Sequence, residues 1–222
     1  MRINVKTKKL SKKLLLQIKE HLEKGGLLFY PTETVYGLGC DAFNEEAINK
    51  IYRRKNRPRD QPMAVIVRNL AQVQEIAELN PLAEKLSKRF HPGPIVIALP
   101  KKKVIPDILN RKAIAFRISS HSLVQQILGE FQRPLVSTSA NRTGMSSPLS
   151  VGEILSQITV DEKDIILDVG KLPQRKPSTL VDFQLQPSPQ IIREGEISAK
   201  AVLATLEIPS KHWAEHMQFL KR

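Results

Sequence analysis

The stretch of this chain best suited to chemistry is cationic. Residues 53–59 read "RRKNRPR" and crowd Arg53, Arg54, Lys55, Arg57 and Arg59 into seven positions, with "DQP" and the apolar run "MAVIV" behind them. Like charges at that density repel one another, so the arrangement is most stable with an anion among them. The plainer alternative is a solvated loop, or a helix end whose cations complement the dipole. Other polar groups gather where apolar runs stop. "YPTETVYG" offers Thr32, Thr34 and Tyr36 as neutral hydrogen-bonding groups, and "STSAN" places Ser137 and Ser139 on one face with Asn141 just beyond. In "AIAFRI" strict alternation sets Arg117 on the face of Ala113 and Ala115. Small neighbours leave room for a guanidinium aimed into a cavity, although an exposed strand edge would look the same. Lysine as a mobile point charge and arginine as a planar fork suit a polyphosphate, and serine and asparagine suit its remaining oxygens or a sugar. Residue types alone reach as far as nucleotide or RNA phosphates.

Several other chemistries lack their signatures. The sequence has no Gly-x-x-x-x-Gly-Lys-Ser/Thr loop and no Gly-x-Gly-x-x-Gly fingerprint, and "YGLGC" is too short for either. No serine sits in a Gly-x-Ser-x-Gly elbow, and neither His-Glu-x-x-His nor Cys-x-x-Cys occurs. The single cysteine, Cys40, excludes an internal disulfide and gives no metal-ligand cluster.

The elements that must position these groups can be read from periodicity. "LSKKLLLQIKEHLEKGG" places Leu14, Ile18 and Leu22 at helical spacing, with Gly25 and Gly26 as a stop. "LLFY", "MAVIV", "PIVIAL", "AIAFRI", "PLVSTSAN", "IILD", "STLVDF" and "QIIR" read as strands. Asn44 and Asn80-Pro81 open helices, and a further helix through Leu123, Val124, Ile127 and Leu128 is expected to end at Gly129. Ser150 with Glu153 forms a capping box, and Ser198 caps a last helix that Pro209 interrupts. Strands and helices mix without the regular alternation of a fully parallel sheet. The expected fold is one α/β domain with strands in both directions, over residues 5–205, followed by a short helical tail over 206–222.

Composition agrees with a packed protein that attracts polyanions. The chain has 222 residues, 41% of them apolar, and a formal net charge of +13. Aromatic residues make up 5%, too few for base-stacking platforms. No apolar run approaches the ~18 residues needed to span a bilayer. The lysine-interrupted N-terminus lacks the pattern of a signal peptide, so a cytoplasmic protein without membrane attachment is expected.

"YPTETVYGLGCDA", "KNRP", "HPGP", "AFRI" and "STSAN" occur in the order and approximate spacing of the YrdC-like family, and the chain resembles its stand-alone threonylcarbamoyl-AMP synthases to about Arg193. The family pattern Lys-x-Arg followed by Ser-x-Asn is met by Lys55, Arg57, Ser139 and Asn141. The resemblance implies a twisted, partly open mixed sheet around a deep basic cavity. It implies condensation of L-threonine, bicarbonate or carbon dioxide, and ATP into threonylcarbamoyl-adenylate and pyrophosphate, with Mg²⁺ carried in on the nucleotide. A separate transferase complex would then pass the threonylcarbamoyl group to N6 of adenosine 37 in tRNAs reading codons that begin with A. By the same resemblance, Lys55 and Arg57 engage the carbamate and phosphates, and Ser139 and Asn141, with Ser137 beside them, line the junction of threonine and nucleotide. Thr34, with Thr32 as a close rival, contacts threonine, whose carboxylate meets Arg117. Ser147, Ser178 and Arg193 fall at family positions near nucleotide or threonine. Lys55 and Arg57 are expected to face solvent in the cavity, so that replacing either with alanine spares the fold.

The sequence departs from that pattern in places. Ile66 stands where certain relatives have a histidine, "GKLPQRKPSTL" replaces a more glycine-rich loop, and the second domain that covers the site in some relatives is expected to be missing. Two other readings remain. The net charge suits an RNA-binding protein of ribosomal RNA maturation, and weak tRNA binding could accompany catalysis. Carbamoyl-phosphate chemistry of the hydrogenase-maturation kind would need zinc and acylphosphatase modules that the sequence does not show.

Overall fold

Alternating and helical apolar patterns sort into ten strands and seven α-helices in a computed structural model, which describes residues 1–5, 9–184 and 189–217. The strands are β1 (Arg2–Asn4), β2 (Leu28–Pro31), β3 (Tyr36–Gly39), β4 (Ala64–Ile66), β5 (Ile95–Pro100), β6 (Ala113–Arg117), β7 (Leu135–Ser139), β8 (Ile165–Asp168), β9 (Thr179–Asp182) and β10 (Gln190–Arg193). The helices are α1 (Lys12–Glu23), α2 (Glu45–Lys55), α3 (Leu70–Ile76), α4 (Pro81–Phe90), α5 (Ser122–Phe131), α6 (Val151–Leu155) and α7 (Ala199–Thr205), with a 3-10 helix over Ser210–His216. All strands join one sheet in the order β1-β8-β2-β3-β7-β4-β6-β5-β9-β10. Parallel pairs (β1/β8, β2/β8, β4/β6, β5/β9) are combined with antiparallel ones (β2/β3, β3/β7, β4/β7, β5/β6, β9/β10), as expected for a mixed α/β domain.

The period of two divides the residues of the sheet between two cores. Phe29, Leu38, Val65, Ile97, Phe116 and Val136 pack with α2, α3, α4, α6 and α7. Tyr30, Ile66, Leu135, Ile165 and Leu167 pack with α1 and α5. Arg117 pairs with Ile66, and Ile66 with Leu135, so Arg117 shares the face of Leu135, Ser137 and Ser139. On that face α1 and α5 cover one part. Farther along it Val96, Ala115 and Leu180 stay partly exposed, which leaves the polar groups accessible.

Side-chain caps start most helices, at Asn44, Asn80, Ser150 and Ser198 where the sequence suggests and at Ser11 in addition. Ser11, Asn44, Asn80, Ser150 and Ser198 each accept a hydrogen bond from a first-turn amide. At α6, however, Glu153 turns to the amide of Leu149 (2.8 Å) and so does not complete the box at Ser150. Nor does α5 end at Gly129: its apolar stripe continues to the buried Phe131, and Gln132 supplies the left-handed turn at φ 59°.

Three elements lie outside the sequence expectations. β3 is the "YGLG" run, too rich in glycine to read as a strand; β1 and α3 are short. The sheet begins before the expected boundary at residue 5, because β1 pairs with β8. The tail is bound to the sheet through Met217, which bridges to Ile191, and His216 Nδ1 lies 2.8 Å from Pro189 O. The rest of the expected tail, residues 218–222, lies outside the described residues. Among the described residues no helix is long and apolar enough to cross a membrane.

Candidate active site

The cationic cluster divides on folding. Ile48, Ile51, Tyr52 and Lys55 fall at i, i+3, i+4 and i+7, so the apolar face of α2 carries Lys55 inward with it. Asn56, at φ 48°, ends the helix there. Lys55 is only 1% exposed, which corrects the expectation that it faces solvent. Its Nζ donates to Ser139 O (2.5 Å), Asn141 O (2.5 Å) and Asn141 Oδ1 (3.3 Å). A buried ammonium on three oxygens thus pins the end of β7. Burial first, and then Arg57, bring its pKa down to about 7.

Arg57 turns away from that core and donates to Gln61 O (2.9 Å) and Pro62 O (2.8 Å), closing its own loop. Burial lowers its pKa, while Tyr52 opposes the shift. Arg54 pairs with Asp161 and Asp164, Arg59 stacks 4.6 Å from the Tyr52 ring centre, and Arg53 is exposed. Of the five cations, Lys55 alone bonds to the Ser-x-Asn segment, Arg57 lies near enough to Lys55 to act on its charge, and Arg54 is a structural pair.

Beyond β7 the "SAN" segment is folded on itself. Ser139 Oγ donates to Asn141 Oδ1 (2.5 Å), and Asn141 Nδ2 donates to Arg142 O (3.0 Å) and Met145 O (2.6 Å). Ser137 accepts from Tyr30 Oη at 2.9 Å, and burial pushes that phenol up to about 12 against the help of Ser137.

The turn between β2 and β3 carries the two threonines. Thr32 Oγ1 donates to Val35 O (2.7 Å) and accepts from the amides of Thr34 (3.1 Å) and Val35 (3.2 Å). Its proton and both its lone pairs are therefore committed, and the Thr34 hydroxyl lies 3.1 Å away. Among the described residues the Thr34 hydroxyl makes no other hydrogen bond, so it is the less committed of the two. Ala140 N donates to Tyr36 O (2.9 Å) and Gly37 pairs with Ser139, so this turn lies beside the Ser-x-Asn segment.

Arg117 is 7% exposed at the end of β6. Its Nη1 donates to Ser178 Oγ (3.1 Å) and lies 3.1 Å from Glu33 Oε1. Arg193 Nε donates to Ser178 O at 3.0 Å, so Ser178 joins the two arginines. Ser147 is exposed on the loop after Asn141, next to Pro148, whose carbonyl accepts from Tyr36 N (3.0 Å). The "GKLPQRKPSTL" loop has no regular structure up to Ser178 and borders an open depression lined by Pro173, Gln174, Arg175, Lys176 and Glu196.

Two groups in the cluster were not singled out from the sequence. Glu33 is the one acid in an otherwise uncharged turn, a signal legible in "PTETV". Its Oε2 accepts from Ser119 Oγ at 2.5 Å. Ser119 carried no signal of its own. Among the described residues no group of three or more His, Cys, Asp or Glu side chains could hold a metal ion. The donors are instead cations, hydroxyls and amides, a set that takes oxyanions.

Comparison with known proteins places the fold in a family. The Sua5/YciO/YrdC family model, described as "Telomere recombination", matches residues 20–195. A threonylcarbamoyl-AMP synthase of Vibrio vulnificus is 34% identical over 187 residues, covering 82% of this chain and 98% of its own. The structure of Pyrococcus abyssi Sua5 complexed with L-threonine superposes with a TM-score of 0.83 at 30% identity, over 92% of this chain. This chain spans 60% of the length of that one. E. coli YciO superposes with a TM-score of 0.79 at 27% identity, over 91% of this chain and 99% of its own. The twisted mixed sheet flanked by helices is common to both structures. The chain belongs to the Sua5/YciO/YrdC family.

Proposed function

We propose that this protein is a threonylcarbamoyl-AMP synthase, using L-threonine, bicarbonate or carbon dioxide, and ATP. The observation that carries the reading is the meeting of two anion-binding groups at one turn. Arg117 with Ser178 suits a carboxylate, the Ser139–Asn141 segment with the Lys55 charge behind it suits phosphate oxygens, and Thr34 lies on the turn beside the latter. The relatives named threonylcarbamoyl-AMP synthase, and the Sua5 structure with L-threonine, support it.

In the reaction bicarbonate releases carbon dioxide and hydroxide, the hydroxide takes a proton from the threonine ammonium to give water, and the free amine forms a nitrogen–carbon bond with the carbon dioxide, losing a second proton to solvent as it becomes a carbamate. A carbamate oxygen then attacks the α-phosphorus of ATP, and the bond to pyrophosphate breaks. No protein nucleophile is needed, so the protein has to hold two anions together and stabilise the charge on the phosphate. Arg57 and Arg193, with Ser147 at the rim, are assigned to the nucleotide, and Arg117, Ser178 and Thr34 to threonine. The charge of Lys55 acts from behind the Ser-x-Asn segment, whose oxygens take up its donors in the unliganded state. Mg²⁺ enters as part of the MgATP substrate, which fits a site built of donors to oxyanions. The adenylate would go to a tRNA-threonylcarbamoyl transferase complex in the cytoplasm.

Pyrophosphate release is the test. It is expected only when threonine, bicarbonate and ATP are all present; ATP turnover indifferent to threonine would overturn the reading.

A further inference from the structure

Glu33 has no part in the reaction as set out above, yet its carboxylate sits against the guanidinium assigned to the substrate carboxylate. Oε1 lies 3.1 Å from Arg117 Nη1, Oε2 accepts from Ser119 Oγ, and the side chain is 15% exposed. The approach of Oε1 to Nη1 is not aligned as a hydrogen bond, so this oxygen is buried without a donor. His121 Nδ1 is buried without a partner as well, and His121 is near enough for the Glu33 charge to act on it. The His121 amide reaches Ser119 Oγ (3.2 Å), which ties both residues to one turn. Buried polar atoms without partners are uncommon, and a ligand that brings a donor would relieve this one.

The charge balance indicates which donor. Arg117 Nη1 is already engaged by Ser178 and faced by Glu33, and the described residues give Nε and Nη2 no partner. A simple carboxylate arriving on that free edge meets a guanidinium whose charge Glu33 has largely cancelled, and meets the Glu33 charge as well. An α-amino acid brings a cation beside its carboxylate and completes an alternating set of four charges.

Resting on the synthase reading, we propose that Glu33 is a specificity residue that selects the substrate as a zwitterion, its carboxylate accepting from the α-ammonium while Arg117 holds the substrate carboxylate. Attraction toward the ammonium and repulsion toward a bare carboxylate then act together.

Calorimetric titration of the full chain with L-threonine and with 3-hydroxybutyrate, the same molecule without its amine, separates the possibilities. The unaltered protein is expected to favour threonine by about a hundredfold or more, as sites built around a substrate N–H do. In Glu33→Gln, threonine weakens by about tenfold or more while 3-hydroxybutyrate binds as well as before or better, because a repulsive charge has gone. Glu33→Asp keeps the charge and retains part of the preference. Equal weakening of both ligands would reduce Glu33 to a prop for Arg117 and overturn the proposal; an unchanged ratio would do the same. Should Glu33→Gln fail to fold, the unaltered protein and Glu33→Asp decide, since near-equal binding of the two ligands by the unaltered protein is itself fatal. No threonine binding at all removes the synthase reading and this proposal together, whereas normal threonine-dependent turnover with an unchanged ratio removes the proposal alone.

Discussion

Lys55 and Arg57 stand two positions apart in sequence and have different surroundings, so their substitutions should separate. Removing Lys55 leaves Ser139 O and Asn141 O without their buried donor, while Asn141 Oδ1 keeps Ser139 Oγ. Lys55→Ala should therefore abolish turnover and also cost on the order of 2 kcal/mol of stability, the usual penalty for stranding buried polar groups. Arg57 caps two carbonyls of a partly exposed loop. Arg57→Ala should lose turnover at a cost below about 1 kcal/mol. Urea unfolding beside pyrophosphate release checks both, and equal stability of the two variants would contradict the buried role of Lys55. The depressed pKa of about 7 adds a pH effect. An anion near Lys55 favours its charged form, so ATP binding between about pH 7 and 9 should take up protons. Titration calorimetry in buffers of different ionisation enthalpy measures that uptake, and Lys55→Met should lose it.

Strand ends and loops place the remaining groups, and one glycine bears much of that burden. A side chain at Gly195 would stand 2.0 Å from Pro177 O and 2.7 Å from the carbonyl carbon of Ser178. That closeness lets Glu196 N donate to Pro177 O (2.9 Å), and Gly195 N to Thr179 Oγ1 (3.0 Å), fixing the segment that presents Ser178 to Arg117. Gly195→Ala should displace Ser178, raise KM for threonine by about tenfold or more, and leave KM for ATP nearly unchanged, since small shifts in positioning groups are costly. Steady-state kinetics with each substrate varied in turn would show it. This level of organisation was partly legible in the sequence. Caps at Asn44, Asn80 and Ser198 and the alternation of "AIAFRI" point to elements that the structure contains. The inward turn of Lys55 was also there to be read, seven residues after Ile48, but the neighbouring arginines suggested an exposed cluster. β3 was not legible, because Gly37 and Gly39 owe their extended form to β2 and β7 on either side and not to any propensity of their own. The pairing of Glu33 with Arg117 joins residues 84 positions apart in sequence, beyond the reach of any local pattern.

Across the whole molecule the net charge of +13 and the buried site should respond differently to salt. Surface lysines and arginines attract any polyanion, and such binding releases counterions from nucleic acid. RNA affinity should therefore fall by about tenfold or more between 50 and 200 mM salt, with little dependence on RNA sequence. Lys55 is buried and Arg57 and Arg193 are half-buried, and charges so placed are screened less than exposed ones. KM for ATP should accordingly rise by no more than about threefold over the same range. Filter binding of a tRNA and pyrophosphate release, measured in parallel at each salt concentration, place the two dependences on one axis. A parallel fall would mean that ATP is held by the same exposed cations as RNA, and the alternative of an RNA-binding protein would gain. Divergence would assign the surface charge to attraction at a distance and leave catalysis to the buried pair of anion sites.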